Sequence, residues 1–179
     1  GACLAVLEGH TDGIKDIQLL ADGRILSWEW NDKTLRLWEG TTGACLAVLE
    51  GHTDGIKDIQ VLADGRLLSW SYDHTLRLWD GTTGACLAVL EGHTKRIEGV
   101  QVLADGRLLS WSGDNTLRLW EGATGACLAV LEGHTNGISD VQVLVDGRIL
   151  SRSYGGIWRL WDGSTGMCLA VLEEHSYID

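Results

Sequence analysis

The stretch Gly43-Ala44-Cys45-Leu46-Ala47-Val48-Leu49-Glu50-Gly51-His52-Thr53 decides the fold, because the same eleven residues also begin at Gly1, Gly84 and Gly125. A weakened copy begins at Gly166, with Met167 and Glu174 in place of alanine and glycine. The copies are 42 residues apart once and 41 three times, and the extra residue falls in Asn31-Asp32-Lys33. Units 43–83 and 84–124 are identical at 32 of 41 positions, a likeness that implies recent duplication or deliberate construction. A period near 40 residues belongs to stacked or radial repeats. The chain therefore reads as one repetitive domain, with units 1–42, 43–83, 84–124 and 125–165 and an extra outer strand in 166–179.

Within a unit, short apolar runs alternate with turn residues. Cys45 to Glu50 is apolar on both faces, Leu46 and Val48 on one and Ala47 and Leu49 on the other, which predicts a strand sandwiched between neighbours. Ile56 to Leu62 is a second strand, closed by Ala63-Asp64-Gly65-Arg66, whose Asp-Gly pair accepts positive φ. Leu67 to Ser71 and Thr75 to Trp79 are a third and a fourth, parted by Tyr72-Asp73-His74. The chain has no proline, so its turns rest on Gly, Asp, Asn and Thr. Four short strands per unit without helical periodicity predict an all-β chain of four-stranded antiparallel blades set radially, a β-propeller.

Gly51-His52 early in the unit and Trp79-Asp80 at its end resemble the WD-repeat β-propeller family. His52 to Trp79, His93 to Trp120 and His134 to Trp161 are each 27 residues apart, and His10 to Trp38 is 28. Four such pairs in register span the chain. The resemblance implies a non-catalytic scaffold for protein contacts, stiffened by a polar network inside each blade. The network residues would be His10, Ser27, Asp32 and Trp38, then His52, Asp73 and Trp79 with Ser69 or Ser71, then His93, Asp114 and Trp120 with Ser110 or Ser112. In such a network the Trp N–H donates to Ser, Ser to His and His to Asp, and a buried member left unpaired costs about 1–3 kcal/mol. Gly155 stands in the fourth unit where the others carry aspartate, so His134 and Trp161 lack an acidic anchor and that blade is expected to open first. Ser, His and Asp together also suit a hydrolase triad. Three occurrences, each with a Trp aimed at the serine, favour a structural network over an enzyme.

The rest of the composition mainly excludes. A formal charge of −11 disfavours nucleic acid or an anionic membrane as partner. No apolar run approaches the ~18 residues of a membrane span, and no cationic-then-apolar N-terminus suggests secretion. Cys3, Cys45, Cys86, Cys127 and Cys168 occupy one position of the repeat. They are expected to be packed small hydrophobes, too far apart to reach the ~7 Å Cα separation of a disulfide, in a reducing cytoplasm. No zinc-type spacing or phosphate-cradling loop occurs, so neither cofactor nor metal is expected. Trp28, Trp70 and Trp111, replaced by Arg152 in the fourth unit, are read as wedges between blades. Gly1 falls on a repeat boundary, which suggests a trimmed piece.

Seven of the nine differences between units two and three lie at two junctions that open onto one face of a propeller. That face is the candidate partner-binding surface, with Asp12, Lys15, Trp30, Asp54, Lys57, Tyr72, His74, Lys95, Arg96, Glu98, Asn136 and Tyr154. Closing four blades alone would turn each by about 90°, against about 45° for eight. The expectation is therefore a homodimer forming one eight-bladed ring. With five copies of the outer strand for four blades, Leu4, Ala5, Val6 and Leu7 are the candidate closing strand across chains, and the final copy is displaced. The alternative is a fragment or engineered amplified-repeat protein whose only activity is this assembly.

Overall fold

The computed structural model describes residue 3 and residues 5–172. Leu4 of the candidate closing strand and Glu174 of the last copy lie outside them. The described residues form sixteen strands and no helix. Blade 1 comprises β1 (Ile14–Leu19), β2 (Ile25–Glu29), β3 (Leu35–Trp38) and β4 (Cys45–Leu49). Blade 2 comprises β5 (Ile56–Val61), β6 (Leu67–Ser71), β7 (Leu76–Trp79) and β8 (Cys86–Leu90). Blade 3 runs through β9 (Ile97–Val102), β10 (Leu108–Ser112), β11 (Leu117–Trp120) and β12 (Cys127–Leu131). Blade 4 runs through β13 (Ile138–Val143), β14 (Ile149–Ser153), β15 (Trp158–Trp161) and β16 (Cys168–Leu172). Every sheet is an antiparallel meander in chain order. The repeat in the sequence is therefore offset from the blade, since each unit opens with the preceding blade's outer strand.

Local chemistry sets the strand ends. The Leu62 amide donates to the Arg66 carbonyl at 2.8 Å, so β5 stops at Val61 and the hairpin turns through Gly65 at φ 86°. The amide and hydroxyl of Thr75 are both held by Asp73 Oδ1, at 2.9 and 2.7 Å, which starts β7 at Leu76.

The chain divides into two compact units, Gly1–Glu91 with blades 1 and 2, and Gly92–Asp179 with blades 3 and 4. In the first, Leu26, Trp28, Leu35, Leu37 and Leu49 of blade 1 pack on Ile56, Ile59, Leu67 and Trp79 of blade 2. In the second, Leu109, Leu117, Leu119 and Leu131 of blade 3 pack on Ile138, Ile149 and Trp161 of blade 4. Each fully buried Leu or Ile contributes roughly 1.5–3 kcal/mol.

The outer strand departs from expectation. It is the sheet's edge, with Leu46 and Val48 in solvent and only Leu49 buried, so it is not sandwiched. The thiols follow it outward. Cys3, Cys45, Cys86 and Cys127 are exposed and Cys168 is half-buried, so they are not packed hydrophobes, and all five are free.

The first and last blades carry uncovered faces. Ile14 and Ile17 of β1 are 44% and 59% exposed, whereas their counterparts Ile56 and Ile59 in β5 are 0% and 8% exposed. Leu172 of β16 is 54% exposed where Leu49 of β4 is 1%. Ala5 to Leu7 form no strand. They lie against Gly43, where an added Cβ would stand 2.8 Å from the Ala5 Cβ. Gly84 meets Ala47 of β4 in the same way, at 2.9 Å, so Ala5–Leu7 hold against blade 1 the place that β4 holds against blade 2.

Candidate functional site

The interior of each blade holds a chain of hydrogen bonds built by four elements. In blade 2 the Trp79 Nε1–H donates to Ser69 Oγ at 2.8 Å, and Ser69 Oγ lies 2.8 Å from His52 Nε2. His52 Nδ1 lies 2.8 Å from Asp73 Oδ2. Blade 3 repeats this with Trp120, Ser110, His93 and Asp114, at 2.9, 2.8 and 2.9 Å. Blade 1 does so with Trp38, Ser27, His10 and Asp32, at 2.8, 2.7 and 2.7 Å. A neutral imidazole with its proton on Nδ1 satisfies every link. Burial pushes the Asp73 and Asp114 carboxyls up, but hydrogen bonds from the histidine and threonine outweigh it and hold both well below the usual carboxylate range. The same balance lowers Asp32.

The serines left open by the sequence separate cleanly. Ser69 and Ser110 enter the network, whereas Ser71 and Ser112 donate to the carbonyls of Asp54 and Lys95, at 2.8 and 3.0 Å. Ser151 is a network member that the residue types alone did not single out. Its Oγ accepts from Trp161 Nε1 and meets His134 Nε2, each at 2.8 Å. The signal was a constant spacing, a serine 17 residues after the histidine at 27, 69, 110 and 151. His134 Nδ1 is buried with no partner among the described residues. Burial first, then the charge of Arg159, pushes that imidazole down to about 4. Every network serine is fully buried, and its oxygen is held between an indole and an imidazole. The arrangement rigidifies a sheet and gives a substrate no route to the hydroxyl.

The loop residues fall into separate groups. In the first unit Lys15, Trp30 and Tyr72 come together, with the Trp30 and Tyr72 rings edge-on at 5.6 Å and Lys15 Nζ 5.2 Å from the Trp30 centroid. Asp12 and Asp54 are exposed and each caps the following amide, of Gly13 and Gly55. Lys57 is half-buried. His74 sits at φ 70°, a turn residue more than a presented side chain. In the second unit Arg96 pairs with Glu98 at 2.8 Å, and Lys95, Asn136 and Tyr154 are exposed. Trp28 and Trp70 are buried and Trp111 half-buried.

Four-stranded meanders repeated along the chain, each pinned by a Trp-Ser-His network, define a β-propeller repeat protein. The chain belongs to the WD40 family (WD domain, G-beta repeat), which matches residues 1–39, 43–80, 84–121 and 125–162. Such repeats generally mediate protein–protein interaction. The solved structures similar to it include the computationally designed Ika8 protein, with TM-score 0.74 and 28% identity over 94% of this chain and 52% of that one. The computationally designed Ika4 protein gives 0.70 and 27% over 90% and 98%. The WD40 β-propeller domain of Doa1 gives 0.63 and 26% over 93% and 55%. The chain thus spans about half the length of the Ika8 and Doa1 chains. No curated protein sequence matches it. Among the described residues no helix is long and apolar enough to cross a membrane.

Proposed function

We propose that this chain is a non-catalytic protein-binding scaffold that joins a second copy head to tail and so completes one eight-bladed propeller. The observation that carries the reading is the pair of bare end faces. Blade 1 exposes Ile14 and Ile17, the positions that blade 2 buries, and blade 4 exposes Leu172, the position that blade 1 buries in β4. Apolar faces of this kind are uncommon on isolated chains and mark contact sites. Two such joints close a ring of two copies with about 45° per blade. The segment from Leu4 to Leu7 then competes with the partner's β16 for the outer place beside β15, a place that β16 holds in the single chain. Partners other than itself would dock on the loops around Lys15, Trp30 and Tyr72, where an exposed aromatic beside a cation suits a protein contact. Free thiols fit a reducing, cytoplasmic setting.

A second reading, an amplified or engineered repeat protein whose activity ends with assembly, is favoured by 32 identical positions in 41 and by the likeness to two designed proteins. Both readings share the joint, and Ile17→Glu tests it. The substitution places a charge on blade 1's bare face and is expected to reduce the sedimenting species to a single chain, while Trp30→Ala leaves the mass of the assembly unchanged. An Ile17→Glu chain that sediments like the unaltered one would refute the joint.

A further inference from the structure

Blade 1 carries Glu29 where blades 2 and 3 carry Ser71 and Ser112, and the exchange rearranges the donors around its imidazole. In blades 2 and 3 the Oδ2 of Asp73 and of Asp114 takes two donors, the histidine Nδ1–H and the amide of Thr53 or Thr94 at 2.9 Å. In blade 1 Glu29 captures that amide, since Thr11 N and Asp12 N both donate to its Oε2 at 3.1 Å. Asp32 Oδ2 is left with His10 Nδ1 as its one donor among the described residues, at 2.7 Å. Glu29 is 1% exposed, its Oε2 lies 3.7 Å from His10 Nδ1, and its Oε1 is buried with no partner among the described residues. A buried carboxylate and a half-buried one thus flank one imidazole that has one proton to give them, and excess charge removed from water in this way calls for a counter-ion.

We propose that His10, Glu29 and Asp32 hold a divalent cation. Their ligand atoms lie within 4.8 Å of one another. Imidazole and carboxylate bonds of about 2.0–2.2 Å require donors roughly 3–3.5 Å apart, a spacing bracketed by the 2.7 and 3.7 Å separations from Nδ1. With the cation on Nδ1, the ring proton moves to Nε2 and donates to Ser27 Oγ, 2.7 Å away, which fixes the tautomer a metal-bound histidine needs. One nitrogen and two carboxylates suit manganese or zinc, and the exposed cysteines would compete for zinc. Mn²⁺ is therefore the probe. The chain is titrated with Mn²⁺ while the paramagnetic resonance of the free ion is followed, beside Glu29→Ser, which installs the residue of blades 2 and 3, and Glu29→Gln, which keeps the size in case the serine variant does not fold. The expected result is one Mn²⁺ per chain, with affinity at least tenfold weaker in the folded variant. No stoichiometric site in the unaltered chain, or a loss smaller than tenfold, overturns the proposal.

Discussion

Arg107 donates a hydrogen bond from Nη1 to the carbonyl of Gly163 across 2.7 Å, tying the β9–β10 hairpin of blade 3 to the β15–β16 turn of blade 4. Arg24 makes the same bond to Gly81 at 2.6 Å between blades 1 and 2. Arg148 occupies the corresponding hairpin of blade 4, and its side-chain bonds among the described residues go to Asp146 alone. Gly40, which corresponds to Gly81 and Gly163, is exposed where those two are buried. A donor is left over at one end of the chain and an acceptor at the other. Arg107→Ala is expected to lower unfolding free energy in urea by about 1–2 kcal/mol, because a buried carbonyl loses its partner. Arg148→Ala should leave the urea midpoint of the dilute chain unchanged and weaken self-association instead, read from the concentration dependence of the mass.

Ser69→Ala strands two buried groups, the Trp79 indole N–H and His52 Nε2, and is expected to destabilise the chain by about 2–4 kcal/mol. Ser71→Ala removes two part-buried bonds, the one Ser71 donates to the Asp54 carbonyl and the one it accepts from the Asp73 amide, and should cost about 1–2 kcal/mol. Chemical denaturation of the two variants side by side checks the ratio. Serine-directed fluorophosphonate should label neither the parent chain nor Ser71→Ala above background, since the network serines are sealed from solvent.

His134 makes blade 4 sensitive to acid. Its folded pKa, about 4, lies below the ordinary 6.5 because burial and Arg159 disfavour the cation. Between those two values the unfolded chain binds the proton and the folded chain does not, so stability is full above pH 6.5 and falls as pH drops towards 4. Allowing for solvent screening, the loss is on the order of 1–2 kcal/mol. Hydrogen exchange at pH 5 should show the amides of β13–β15 opening relative to those of β9–β11 by more than at pH 7.5. Equal protection at both values would contradict this.

Restoring the missing anchor should reverse that behaviour. Gly155→Asp places a carboxylate where Asp73 and Asp114 stand, and the added Cβ crowds the movable Asn136 side chain, 2.7 Å from its Nδ2, while touching Ser153 Oγ at an ordinary 3.7 Å. Stability at pH 7 is expected to rise by about 1 kcal/mol, the worth of a hydrogen bond to a charged group less the desolvation of the carboxylate. His134, titrated by NMR, should move up from about 4.

The blades were legible because their signals are local and repeated. An Asp-Gly turn, a Trp four residues into a strand and a histidine in fixed register recur four times, and each repeat checks the others. The inner network was legible for the same reason, although Ser69 and Ser71 share one face of β6 and the choice between them turned on pairing register, which sets Ser69 opposite Ile59 and Arg77 in mid-strand and Ser71 opposite Ile56 at its end. The outer strand misled because Leu46, Val48 and Cys45 look like core. Their exposure comes from having a neighbour on one side only, a property of position in the sheet that composition does not carry. Glu29 was overlooked because it interrupts the repeat at a place where the other blades hold a serine of modest role.

The central claim is that the two bare end faces meet between copies. Light scattering of the unaltered chain at micromolar concentration measures it most directly. The account predicts a species of two chains, twice the 19.5 kDa of one. A folded species of 19.5 kDa that persists as concentration is raised would contradict it.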